Sequence, residues 1–150
     1  MARESAGLLL HRQRDGKREV LLIHPGGPFW AKRDQGAWSI PKGEIEPGEE
    51  AIDVARREFE EELGAPPPNG DMSSLGSIRQ AGGKVVHAWA AAGDFDVAKL
   101  RSVNFSMEWP PRSGRMQEFP EVDRAGWFAL EDARRMILSS QLPLLERLEA

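Results

Sequence analysis

The chain has 150 residues, 40% hydrophobic and 29% charged, with a formal net charge of −4 and no cysteine. That composition describes a soluble globular domain with room for a core. It excludes disulfides and thiolate metal sites, and its negative balance argues against a general nucleic-acid binder, which needs a basic field. The absence of cysteine accords with a reducing, cytoplasmic setting. Near the N-terminus the unbroken run of large apolar residues is Leu8 to Leu10, too short for a signal segment or a membrane span. One domain over residues 1–150 and no membrane partner are therefore expected.

In chain order, Ser5 to His11 reads as a first strand with a short buried run. Asp15-Gly16 is a hairpin turn, and Glu19 to His24 reads as the antiparallel partner. Pro25-Gly26-Gly27-Pro28 breaks regular structure. The loop up to Gly36 carries Phe29, Trp30, Lys32 and Arg33, a mixture common at the rims of binding sites. Ala37 to Ile40 reads as a brief strand ended by Pro41-Lys42-Gly43. Pro47-Gly48 turns the chain into a helix with Glu49 and Glu50 in its first turn, where acids suit the dipole. Gly64 caps its C-terminal end.

Beyond the helix, Ala65 to Ser74 is a loop. Leu75 to Gln80 and Lys84 to Ala92 read as a hairpin, in which Val86, Ala88 and Ala90 share one face. Asn104 to Trp109 reads as a strand, Pro110 to Pro120 as an irregular basic loop, and Arg124 to Leu130 as a further strand. Glu131 to Ile137 and Leu142 to Leu148 read as two short helices. The order predicts an α+β fold, with a helix on each face of a mixed sheet.

The stretch from Gly43 to Ala65, GEIEPGEEAIDVARREFEEELGA, carries the chemistry. At about 100° per residue, Glu58, Glu61 and Glu62 fall within roughly one third of the helix circumference. Like charges three and four apart repel, so the cluster is costly unless a cation sits on it. Ile52, Phe59 and Leu63 share another face and can anchor to a core. Hard carboxylate oxygens suit Mg²⁺ or Mn²⁺. Such ions acidify a bound water and neutralise phosphate charge, while an unligated carboxylate can take the water's proton. Arg57, four residues before Glu61, can orient it. Spacing alone leaves two readings: a platform for metal-assisted hydrolysis of a phosphate compound, or a solvated acidic helix stabilised by ion pairs.

Gly43, Glu49, Arg57-Glu58-Phe59, Glu61-Glu62 and Gly64-Ala65 stand at the spacing of the Nudix signature box, and the chain resembles the Nudix hydrolases. Ala65 departs mildly, since the family prefers a larger aliphatic there. The resemblance implies an α/β/α sandwich around a mixed β-sheet and Mg²⁺-dependent cleavage of a pyrophosphate bond in a nucleoside diphosphate-linked compound. It implies Glu58, Glu61 and Glu62 as metal ligands. The base varies within the family, between a box glutamate such as Glu61 or Glu62 and an acid of a later loop, here Glu118 or Glu121. Lys42 in Pro41-Lys42-Gly43 resembles the subgroup that cleaves dinucleoside polyphosphates or diphosphoinositol polyphosphates. The expected substrate is a dinucleoside polyphosphate or other nucleoside polyphosphate. House-cleaning hydrolysis of modified nucleoside triphosphates, hydrolysis of diphosphoinositol polyphosphates and a non-catalytic nucleotide-binding regulatory module are the alternatives. The family is often dimeric, so a homodimer is admitted, although no stretch marks an interface.

Outside the box, Lys42 is a candidate phosphate contact. Arg79, Arg112 and Arg115 are candidates for further phosphates, and Trp30 and Trp109 for stacking on a base. His11, His24 and His87 lie in predicted strands without a metal-ligand spacing and read as ordinary sheet histidines.

Overall fold

The computed structural model describes residues 3–149. Its first two strands, β1 (Glu4–Arg14) and β2 (Lys17–Pro25), form a hairpin whose tight turn places Asp15 and Gly16 at positive φ. Next come a short β3 (Lys42–Glu44), helix α1 (Ala51–Leu63) and the hairpin β4 (Met72–Arg79) and β5 (Val85–Ala92). A ribbon of β6 (Asn104–Glu108) and β7 (Met116–Pro120) precedes β8 (Val122–Ala129). Helices α2 (Leu130–Met136) and α3 (Leu142–Glu149) follow.

The main sheet runs β4-β5-β1-β2-β8, with β3 paired to β1. β1 and β5 pair in parallel and the other neighbours antiparallel, so the sheet is mixed. Both faces are covered, which explains the unbroken apolar runs in its central strands. Leu8, Leu10, Leu21 and Ile23 face α1 and meet Phe59 and Leu63. Leu9, Val20 and Leu22 point the other way and meet Ala133, Leu144, Leu145 and Leu148 of α2 and α3. Burying a side chain the size of Phe59 or Leu63 contributes about 1.5–3 kcal/mol, and both are almost fully buried. These contacts fix which side of α1 is left for chemistry.

Four local expectations need correction. Ala37 to Ile40 makes two isolated bridges, Ile23 to Ser39 and Trp38 to Ile137, and is not a strand. The strand falls instead on Lys42–Glu44, where a break was expected; Pro41 lacks an N–H but gives its carbonyl to Leu8 at 3.1 Å, keeping the segment beside β1. Part of the Pro110–Pro120 loop is β7, paired residue for residue with β6. Helix α1 begins at Ala51, so Glu49 and Glu50 precede it, and Val54 and Ala55, rather than Ile52, complete its buried face. Gly64 does cap the helix, at φ 84°, with its N–H on the Glu60 carbonyl.

Candidate active site

Helix α1 and strand β3 together wall a cleft of about 440 Å³. Glu44, Glu58, Glu61, Glu62 and Glu121 line it against a single lysine, Lys42. The register of β3 on β1 sets Lys42 opposite Gly7 and Gly43 opposite Ala6. Gly7 has to be small: a Cβ there would lie 2.7 Å from both Ile40 Cδ1 and the Pro41 carbonyl oxygen. Gly43 has to be small for a chemical reason. Its Cβ would sit 2.1 Å from Glu58 Cδ, so the bare backbone is the seat of that carboxylate.

Burial and crowding dominate the electrostatics. Glu62 is pushed up to about 8, first by desolvation and then by the neighbouring Glu58, while Lys42 pulls the other way. Glu58 is raised by burial and by Glu61. Burial also lowers the Lys42 ammonium, despite attraction from Glu62 and Glu58. Glu62 and Lys42 are thus both displaced away from their charged forms, so burial outweighs their mutual attraction. The cleft is short of positive charge. Glu62 Oε2 is also buried and has no hydrogen-bond partner among the described residues, and such an atom is costly unless something binds it.

The donor set, all hard carboxylate oxygen, fits Mg²⁺ or Mn²⁺, and the orphaned Glu62 oxygen marks where one ligand would come from. Among the described residues no three acidic or histidine side chains are yet gathered closely enough to hold an ion. Glu61 is half exposed and turned toward Arg57, whose Nε lies 3.7 Å away. Arg57 makes its shortest contact with Glu49, with a second contact at 3.5 Å, and lies 3.7 Å from Glu58. Arg57 holds the Glu49 carboxyl below its usual range. Glu49 also accepts the Glu46 N–H at 2.8 Å, tying the loop before the helix to the arginine.

A second, mainly apolar pocket of about 220 Å³ adjoins the cleft and shares Lys42, Glu62 and Glu121 with it. Trp30, Ile23, Pro25, Ala37, Ile40, Val122 and Leu138 supply its walls. Glu121 is held by its backbone: its N–H donates to the Val103 carbonyl and its carbonyl accepts from Gly26. Gly26 must be small here, because a Cβ would lie 1.9 Å from the Pro120 carbonyl oxygen. Another groove, about 590 Å³, runs along Arg3, Glu4 and residues 44–49; it shares Glu44 with the cleft and lacks Glu58, Glu61 and Glu62.

The structure therefore brings together Glu58, Glu61, Glu62, Glu121, Lys42 and Trp30, with Arg57 directly behind the first two. It does not bring in the rest. Glu118 is exposed on β7 opposite Ser106. Arg79 is exposed at the end of edge strand β4. Trp109 packs edge-on against Phe29 at 5.4 Å and lines neither pocket. Sequence reasoning did not find the apolar walls at Ile23, Ala37, Ile40, Val122 and Leu138. These are scattered core-type residues with no shared periodicity. Nor did it find the Glu49–Arg57 pair, which joins a loop to a helix.

A NUDIX domain model matches residues 1–148 of the chain. An RNA pyrophosphohydrolase of Legionella pneumophila (strain Corby) is 42% identical over 62 residues, 41% of this chain and 34% of that protein's length. Among solved structures, a Caenorhabditis elegans Ap4A hydrolase binary complex superposes with a TM-score of 0.70 at 23% identity, covering 97% of this chain and 95% of that one. The NUDIX domain of Shewanella oneidensis NrtR, in complex with ADP ribose, gives a TM-score of 0.66 at 21% identity over 99% and 87%. With a cleft of box glutamates at its centre and a family match along nearly its whole length, the chain belongs to the Nudix family.

Proposed function

We propose that the protein is a Mg²⁺-dependent pyrophosphohydrolase acting on a nucleoside diphosphate-linked compound, with a dinucleoside polyphosphate or other nucleoside polyphosphate as substrate. The observation that carries this reading is the junction of two unlike pockets at Lys42, Glu62 and Glu121. A polyphosphate suits the polar cleft once cations fill it, and a nucleoside suits the apolar pocket beside Trp30. The residues of that Ap4A hydrolase and of the RNA pyrophosphohydrolase relative are not transferred individually; their names only set the substrate class to be tried.

In this reading Glu58, Glu61 and Glu62 hold the metal. When bound, Mg²⁺ would screen the phosphate oxygens and acidify a water. Lys42 meets the phosphate next to the nucleoside pocket. Arg57 fixes Glu58 and Glu61 against α1, acting as a positioning residue. Glu121 stands across the cleft from the box, and it or a box glutamate accepts the proton of the attacking water. Trp30 stacks on the base.

The test is a substrate panel with purified protein and Mg²⁺: dinucleoside polyphosphates, 5′-triphosphorylated RNA, nucleotide sugars, modified nucleoside triphosphates and diphosphoinositol polyphosphates. Turnover of at least one phosphate anhydride, abolished by chelator and by Glu62→Gln, is expected. Binding of nucleotides without any turnover would instead identify a nucleotide-binding module. RNA belongs on the panel because the expectation against nucleic acid rests on net charge, which bears on duplex binding and says little about a single 5′ end.

A further inference from the structure

The apolar pocket offers few polar groups of its own. Lys42, Glu62 and Glu121 belong to it and to the carboxylate cleft alike. Among the described residues, the other polar side chains lining it are the Trp30 indole and the Ser39 hydroxyl. A mainly apolar pocket draws its selectivity from such isolated polar groups. An aromatic ring stacks through its face, which every base can meet. Ser39, partly exposed in the irregular 37–40 segment, is the group left to read the edge of a base. The backbone of this wall is largely taken up already. Ser39 exchanges both of its main-chain hydrogen bonds with Ile23 of β2, at 2.9 and 2.8 Å. The Leu138 N–H donates to the Trp38 carbonyl at 2.7 Å, and the Leu138 carbonyl accepts from Gln141 at 2.9 Å.

The roles of the atoms around the hydroxyl follow from one fixed donor. Gln141, in the turn between α2 and α3, is 0% exposed. The Ile40 N–H donates to its side-chain oxygen Oε1 at 3.0 Å. A backbone N–H only donates, so the carboxamide oxygen faces Ile40 and the NH2 faces the other way. That NH2 donates to Ser39 Oγ at 2.9 Å. Ser39 Oγ in turn donates its one hydrogen to the Ile40 carbonyl at 2.7 Å. Among the described residues no donor besides Gln141 meets the hydroxyl, so one of its two lone pairs is left. The hydroxyl has no hydrogen for a ligand and is held as an acceptor. An amide and an alcohol do not titrate near neutral pH, so this polarity is independent of pH there.

We propose that Ser39, held as a hydrogen-bond acceptor by Gln141, selects nucleotides whose base carries an exocyclic amino group. The selection rests on the assignment of the apolar pocket to the nucleoside made above. The amino group of an adenine, guanine or cytosine donates to the remaining lone pair of Oγ. A base that brings no donor to that place leaves Oγ unpaired where the ligand has displaced water, and binds more weakly for it.

Three matched pairs of nucleoside 5′-diphosphates test this on the full-length chain with Mg²⁺: adenosine against purine riboside, guanosine against inosine, and cytidine against pyrimidin-2-one riboside. Within each pair the amino group is the difference. All are used as α,β-methylene analogues, which are not cleaved between the phosphates, and dissociation constants are read by titration calorimetry. In wild type the amino member of at least one pair should bind about three- to tenfold more tightly, the range of one hydrogen bond. Ser39→Ala should bring that ratio to within about 1.5-fold, while Ser39→Thr, which keeps the hydroxyl, should retain it. A general loosening of the pocket weakens both members and leaves their ratio alone. Equal binding within every pair in wild type overturns the proposal, as does a ratio that survives Ser39→Ala or one lost equally in Ser39→Ala and Ser39→Thr. The pocket assignment is read separately through Trp30→Ala. If that change weakens every nucleotide while the members of each pair bind alike, the pocket holds the nucleoside and Ser39 does not select it. If no nucleotide binds, or Trp30→Ala weakens none, the pocket assignment fails and the selection by Ser39 falls with it.

Discussion

The two halves of the cleft are built differently. The carboxylate half stands on one helix and the short strand beside it: Glu58, Glu61 and Glu62 on α1, Lys42 and Gly43 on β3. Phe59 and Leu63 lock that helix to the sheet from the opposite face. The apolar half is assembled from the 26–36 loop, the end of β2, the irregular 37–40 segment and the start of β8. Rigid elements hold reacting groups to a fraction of an ångström, whereas loops let the bound group vary. On the proposed function, the chemistry is thus carried by secondary structure and the selectivity by connections. Changes on the first half should lower kcat, and changes on the second should raise KM.

The largest effect is expected at the centre of the first half. Glu62→Gln should lower kcat by at least about 100-fold, since even outer groups that merely orient metal ligands cost 10- to 100-fold. The same change should stabilise the metal-free protein at alkaline pH. Glu62 has a folded value of about 8 against an ordinary 4.5, a raised carboxyl. Its contribution to stability is fully present below about 4.5 and is lost as pH rises through about 8. Thermal melts of wild type in chelator should therefore fall across that window, while those of Glu62→Gln should fall less. Mg²⁺ should reverse the wild-type loss and should bind with release of a proton near neutral pH. Melts that run parallel in both proteins would show that Glu62 ionises freely, and the description of the cleft as short of positive charge would be wrong.

Gly43→Ala tests whether position, rather than charge, is what the first half supplies. No charge changes, but the new Cβ lands on the Glu58 carboxyl carbon at 2.1 Å. Glu58 must move or the β3 backbone must, and a displacement of about 1 Å can cost 10²-fold in rate. Overpacking of this kind destabilises by about 1–3 kcal/mol, too little to unfold a domain of ordinary stability. A loss of kcat of tens-fold at unchanged secondary structure is expected by steady-state kinetics and circular dichroism. Activity like wild type would show that Glu58 is not needed where the structure puts it.

These two sites also show what was legible beforehand. The box residues lie on one helix, and a 3.6-residue period converts spacing directly into a shared face. That made Glu58, Glu61 and Glu62 and the buried Phe59 and Leu63 readable from their order alone. The continuous burial of β1 and β2, and hence a helix layer on each face, followed from runs such as Leu8 to Leu10. Glu121 could not be told from Glu118 by the sequence. The two stand three residues apart in one acidic stretch, and the choice depends on the Val103 and Gly26 backbone contacts made by Glu121. The same limit applies to the tryptophans. Trp30, read in a loop, and Trp109, read at the end of a strand, are equal candidates for stacking, and what separates them is tertiary packing: Trp109 is taken up by Phe29.

That last distinction gives the mildest and sharpest test of the second half. Stacking on an aromatic side chain is worth about 1–3 kcal/mol per base by alanine substitution, or roughly 5- to 150-fold in binding. Trp30→Ala should raise KM within that range and leave kcat close to wild type, because among the described residues none of the carboxylates proposed to hold metal leans on Trp30. Trp109→Ala removes an edge-on contact with Phe29 at the outer ribbon and should change KM by less than about twofold. Steady-state kinetics of the two variants on one substrate decides the matter. If Trp109→Ala carries the larger KM effect, the base rests on the Phe29–Trp109 pair, and the β6–β7 ribbon rather than the pocket beside Lys42 selects the nucleoside. If Trp30→Ala lowers kcat together with kcat/KM, the loop also positions the reacting phosphate, and the division between a rigid chemical half and a loop-built selective half does not hold.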